Sequence, residues 1–201
     1  MKRIRVPMLC LLVFFSLGML SYAQTVMTDV WKDKEYRGPV KKIAVFCIAQ
    51  DRGRRIALED LFITQLKARG TDAMPVYVVI PPDKLVDSET ALTKIRDLGA
   101  DSILTVRLVS KLTIQTQIPE PGKTDQTESS RWPNFYRYVY DAPTRETDEP
   151  AYLETNLFDA TNQKRVWTAR SVTKVDMLNQ KVAADFIKVI TDQLALDKMI
   201  K

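Results

Sequence analysis

The run Ile43-Ala44-Val45-Phe46-Cys47-Ile48-Ala49 constrains the fold more than any other stretch. It is uniformly apolar and rich in strand formers, so it suits a central strand covered on both faces. A strand buried on both sides calls for helices packed on the sheet. The sequence after it supplies them. Beyond the loop Gln50-Asp51-Arg52-Gly53, a helix is predicted from about Arg54 to Arg69. Leu58, Leu61, Phe62 and Leu66 form its apolar face, and Gly70 stands where a C-terminal cap belongs. Ala73 to Ile80 reads as a second strand, closed by Pro81-Pro82. Ser88 then caps a second helix that turns Ala91, Leu92, Ile95 and Leu98 inward and ends at Gly99.

A third strand follows with strict alternation. Leu104, Val106, Leu108, Ser110, Leu112 and Ile114 share one face, and Thr105, Arg107, Val109, Lys111, Thr113 and Gln115 the other. That pattern predicts one buried and one mostly solvated face. Its length calls for a bend or bulge near Ser110. Residues 118–150 break the regularity, with Pro119, Pro121, Pro133, Pro143 and Pro150, and read as a long loop with an aromatic segment inside it. Ala151–Asp159 and Arg165–Val175 read as an antiparallel hairpin about the turn at 160–164, and a final helix runs from about Met177 to Ile200. The expectation is one α/β domain over 41–201. Its sheet is mixed and mostly parallel (β-α-β-α-β followed by an antiparallel hairpin), with packed helices and a C-terminal helix. Residues 24–40 read as a lead-in, with Trp31 tucked against the domain.

The first 23 residues carry a different message. Lys2, Arg3 and Arg5 precede an apolar run from about Met8 to Leu20, and Ser21-Tyr22-Ala23 places small residues at −3 and −1 of a cleavage site before Gln24. This is the order of a secretory signal peptide. The run is shorter than a bilayer span and is interrupted by Ser16 and Gly18. Cys10 lies near its start, the wrong place for lipidation. Cleavage leaves 178 residues, enough for one core, and 27 basic against 25 acidic side chains. So small a net charge gives no ground for a nucleic-acid partner.

What the chain lacks narrows its chemistry. There is no histidine, which excludes a Ser-His-Asp or Cys-His centre and removes the commonest metal ligand and proton shuttle. After cleavage only Cys47 remains, so no internal disulfide forms, and one cysteine with no histidine argues against a structural zinc site. Within its apolar run, Cys47 reads as a buried small hydrophobe. No catalytic residue, metal site or cofactor is predicted.

Several segments resemble a known group. These are Val30-Trp31-Lys32-Asp33, Lys41-Lys42-Ile43-Ala44-Val45, Arg55 four before Glu59-Asp60, and Leu98-Gly99-Ala100-Asp101-Ser102-Ile103-Leu104. Leu153-Glu154-Thr155-Asn156-Leu157-Phe158-Asp159 and Val166-Trp167-Thr168-Ala169-Arg170 complete the set. Together they resemble a family of uncharacterised bacterial envelope proteins, many of them classed as lipoproteins. The element order is similar to the amino-terminal domain of TolB and to related domains of envelope lipoproteins. The resemblance implies an α/β fold and an envelope location, and it brings no catalytic residues.

Two segments stand out as candidate sites. Arg52, Gly53, Arg54 and Arg55 follow the first strand, where open α/β sheets hold ligands, and with the helix N-terminus they suit an anion. A single glycine makes no phosphate-cradling loop, and Arg55 with Glu59 also reads as an ordinary surface pair. Trp132, Phe135, Tyr136, Tyr138 and Tyr140 suit a partner surface, or else burial over the sheet edge. Glu154, Asn156 and Asp159 read as a solvated strand face, and Trp167 as a packing residue. The expected function is an exported, periplasmic envelope protein with a non-enzymatic binding or assembly role, with outer-membrane association left open. The alternative is small-ligand or anion binding at the loop after the first strand. The expected partner is an envelope protein or a second copy. No nucleic acid is expected, and membrane contact only if the leader is retained.

Overall fold

The structure, a computed structural model, describes residues 25–49, 51–81, 86–109, 124–125, 127–141, 151–173 and 180–201. In chain order the elements are β1 (Thr25–Lys32), β2 (Lys42–Ile48), α1 (Arg52–Ala68), β3 (Asp72–Pro75), α2 (Ser88–Asp97) and β4 (Ser102–Val109). Then come α3 (Trp132–Asp141), β5 (Ala151–Asp159), β6 (Arg165–Thr173) and α4 (Gln180–Leu196). Short 3-10 turns occupy Val76–Val78 and Glu128–Ser130.

Six strands form one sheet in the order β1-β6-β5-β4-β2-β3. β2 pairs in parallel with β3 and β4, while β4 with β5, β5 with β6 and β6 with β1 run antiparallel. The mixed sheet, the hairpin and the C-terminal helix are as the sequence predicts. The lead-in differs, because Thr25–Lys32 joins the sheet as an edge strand, and this makes antiparallel pairings the majority. The second strand is also shorter than predicted: Pro75 removes a ladder donor, and the chain turns into the 3-10 turn. The continuation of the third strand past Val109, and the leader, lie outside the described residues.

Burial on both sides of β2 follows from its composition. Ile43, Val45 and Cys47 join Leu104, Val106, Leu157 and Trp167 beneath α1 and α4. Across the layer, Phe62 of α1 meets Phe186 of α4 edge to face, with centroids 5.9 Å apart. Ala44, Phe46, Ile103 and Phe158 face the other way, toward α2 and α3. Gly70 and Gly99 end α1 and α2 with φ of +79° and +81°, a region that suits glycine. The cap of α2 is Asp87 rather than Ser88: its carboxylate accepts the Thr90 amide at 2.9 Å. Gly38 lies where a Cβ would stand 2.5 Å from the Lys198 carbonyl, so a side chain there has no room beside the C-terminal segment.

Candidate functional site

The arginine loop folds around its own carboxylates. Asp51 caps α1: its Oδ1 accepts the Arg54 amide at 2.6 Å and its carbonyl the Arg55 amide at 3.0 Å. The positive end of the helix therefore already faces an anion. Arg52 and Gly53 are exposed and Arg54 is half-buried, but Arg55 runs inward. Its Nε donates to Glu59 Oε1 at 2.9 Å and its Nη2 to the Ile80 carbonyl at 2.9 Å, with the guanidinium 4.9 Å from the Phe46 ring centroid.

Glu59 also accepts the Cys47 amide at 3.2 Å and the Tyr77 amide at 2.9 Å. The pair thus fills the crevice beyond the carboxyl ends of β2 and β3, the place where such sheets hold ligands. The surface pair expected from i, i+4 spacing is a buried one, 5% and 0% exposed. The spacing signals the contact, and only the two free amides at the strand ends reveal why it lies inside. Burial pushes the Glu59 carboxyl above its ordinary value, against the pull of Arg55.

The aromatic segment is a helix rather than a loop. Trp132, Phe135 and Tyr136 are spaced i, i+3, i+4 and present one face, while Pro133 stands in the first turn, where a missing amide costs no helix bond. Trp132 packs 5.8 Å from Phe158 and 6.3 Å from Phe46, and its Nε1 donates to the Ser88 carbonyl at 3.2 Å. Tyr136 donates its hydroxyl to the Val86 carbonyl at 2.5 Å. These three rings are buried, so in this conformation they offer a partner no surface. The side chains of Tyr138 and Tyr140 lie outside the described ones.

The larger departure lies on β4, β5 and β6. Arg107, Glu154, Arg170 and Asp29 stand opposite one another on four successive strands, alternating in sign. Arg107 Nη2 reaches Glu154 Oε2 at 2.9 Å, and Asn156 donates to Glu154 Oε1 at 2.7 Å. The strand face expected to be solvated is buried, with Glu154 at 1% and Asn156 at 0% exposure; only Asp159 is more open. Thr105 and Arg107, the expected solvated face of the third strand, are buried with it. The hairpin register places Glu154 opposite Arg170, so opposite charges were legible across it, but charge complementarity alone does not separate a surface pair from a buried one.

This network borders a cleft of about 370 Å³. Its floor is Trp31, Asp125 and Arg165. Arg165 is fully engaged: Nε donates to Asp125 at 2.7 Å, Nη2 to Thr127 Oγ1 at 2.7 Å and Nη1 to Asn156 at 3.3 Å. Asp33, Lys34, Glu35, Arg131 and Lys164 line the cleft as well. None of these five residues stood out as a candidate site in the sequence, because they come together from three separate parts of the chain. Among the described residues no group of histidine, cysteine and acidic side chains is placed to hold a metal ion, and no helix is long and apolar enough to cross a membrane.

No family model and no curated protein matches the chain. Among the solved structures similar to it are two of PelC dodecamers from Paraburkholderia phytofirmans. One, a point variant, is 15% identical, covers 83% of this chain and 94% of that chain, and has a TM-score of 0.43. The other is 13% identical, covers 88% and 98%, and also scores 0.43. Likeness at this level carries no argument about function or assembly, and the resemblance to envelope lipoproteins and TolB rests on the sequence pattern alone.

Proposed function

We propose that this is an exported protein of the cell envelope with a non-enzymatic binding or assembly role, and that it recruits a partner strand, from an envelope protein or a second copy, onto the outer edge of β1. The observation that carries this reading is the difference between the two ends of the sheet. The β3 end is four residues long and closes on Pro75, as protected edges do. The β1 end is eight residues long, and among the described residues nothing pairs with its outer side. The Asp33 amide donates to the Val166 carbonyl at 2.9 Å. Antiparallel alternation then turns the amides of Val30 and Lys32 away from β6. An edge of this kind gives an extended segment its main-chain bonds. A bulge between Met27 and Asp29 divides the edge into two stretches, which limits how long a partner strand stays in register. The arginine loop is the weaker alternative, since Asp51 and Glu59 already hold its amides and Arg55.

Val30→Pro tests the proposal. It removes an outward donor and no bond to β6, so the variant is expected to melt within a few degrees of the parent. It is also expected to lose both self-association in light scattering and specific envelope partners in crosslinking pull-downs. A parent chain that is monomeric and captures no specific partner refutes the reading.

A further inference from the structure

The cleft beside β1 is a second feature, independent of the strand edge, and its charges are unevenly spent. Asp125 and Arg165 neutralise each other on the floor through the 2.6 Å ion pair. Asp33, Lys34 and Glu35 also line it, and Asp33 Oδ1 already accepts the Glu35 amide at 2.9 Å. Arg131 and Lys164 are placed differently. An isolated antiparallel bridge sets Arg131 directly against Lys164. Like charges in that relation repel, at a cost to the pairing. The bridge is nevertheless fixed: the Trp132 amide donates to the Gln163 carbonyl at 2.9 Å, and Arg131 Nη1 to the Asn162 carbonyl at 3.3 Å. Among the described residues, that leaves the rest of the Arg131 fork and the Lys164 ammonium without a carboxylate in ion-pair range, in the lining of a cleft of about 370 Å³. That volume suits a small molecule. An oxyanion lying between the two side chains relieves their repulsion and takes charge-assisted bonds from both.

We propose that this cleft binds a small polar molecule through a carboxylate or phosphate group held between Arg131 and Lys164, with Lys34 in the same lining. The engaged Arg165 forms a rigid floor, so little is spent on ordering the site when ligand arrives. No glycine lines this cleft, and it shares no residue with the arginine loop at residues 52–55.

Calorimetry and thermal shift on the whole chain test the proposal, with inorganic phosphate in one arm, malonate in another and sodium chloride at matched ionic strength as control. One or both anions are expected to bind saturably and raise the melting temperature above the chloride control. The stronger of the two identifies the group. Arg131→Gln and Lys164→Gln, both at exposed positions, are each expected to weaken binding about tenfold, the double variant to abolish it, and Arg52→Gln to leave it unchanged. Absence of saturable binding by either anion overturns the proposal. So does binding that survives the double variant, or that is lost with Arg52→Gln instead.

Discussion

Glu59 and Glu154 are both buried, at 0% and 1% exposure, yet their acidities move in opposite directions. Burial acts to raise each. At Glu59 it outweighs Arg55 and two backbone amides, so the carboxyl sits above the ordinary 4.5. At Glu154 burial is overcome by Arg107, Asn156 and Arg165 acting together, so the carboxyl sits below 4.5. The consequences for stability differ in sign. Glu59, with its raised folded value, contributes stability that is full below 4.5 and is lost as pH rises through that folded value. Glu154, with its lowered value, contributes stability that is full above 4.5 and is lost as pH falls through its own folded value. Glu59→Gln is therefore expected to flatten the stability profile on the alkaline side of 4.5 and leave the acid limb in place. Glu154→Ala is expected to cost about 3–5 kcal/mol at neutral pH, because it removes the buried carboxylate that Arg107 pairs with and leaves Arg165 only Asp125. Urea unfolding across pH reads both, and a Glu154→Ala loss under about 1 kcal/mol shows that the network is solvated rather than buried.

At the level of elements, legibility followed how local each signal was. β2, α1, α2 and the β5–β6 hairpin were readable because their periodicity, caps and turn lie within the segments themselves. β1 was missed because an edge strand is made by its neighbour: Thr25–Lys32 has a mixed pattern that means little until β6 stands beside it. α3 was missed because Pro133 and the surrounding prolines argue for a loop, while the i, i+3, i+4 aromatic spacing that identifies a buried helix face spans only five residues. The same tertiary dependence hid the polar face of β5, where Glu154 is buried by pairings on both flanks. The cleft was hidden for a like reason, since Arg131 and Lys164 are 33 positions apart and meet only through the bridge. α3 is held by packing, which makes its anchor costly to remove. Trp132→Ala is expected to destabilise the protein by about 3–5 kcal/mol in denaturant unfolding, since it deletes four ring contacts and a buried hydrogen bond together. A cost under about 1 kcal/mol means that α3 is loosely seated and its aromatic face is open to partners after all.

Across the whole molecule, the sheet grades from a guarded interior to an open end, and Cys47 reports on the interior. Cys47 is 1% exposed, in β2, with β4 on one side, the Glu59 carboxylate holding its amide on the other, and α1 packed above. Burial, joined by the charge of Glu59, raises its pKa well above the ordinary thiol value, and Arg55 offsets this only in part. Two barriers therefore guard the thiolate: the strand must open, and the opened thiol must then ionise. Fraying of the β2 end does not achieve the first, because there β4 bonds one edge, the buried Glu59 carboxylate holds the other and both faces are covered, so exposure of Cys47 is tied to loss of both cores. In the chain from Gln24 onward Cys47 is the single cysteine, so an aromatic disulfide reagent reads this one site. At pH 8 without denaturant, labelling is expected to be slower than that of the unfolded chain by the full folding equilibrium constant. With added urea its free energy is expected to fall with the same slope as global unfolding measured by fluorescence. Labelling near the rate of a free thiol in native buffer, or with a slope far below the global one, shows instead that β2 and α1 open as a local unit. The crevice filled by Arg55 and Glu59 is then a moving part, and the loop at residues 52–55 returns as a candidate site.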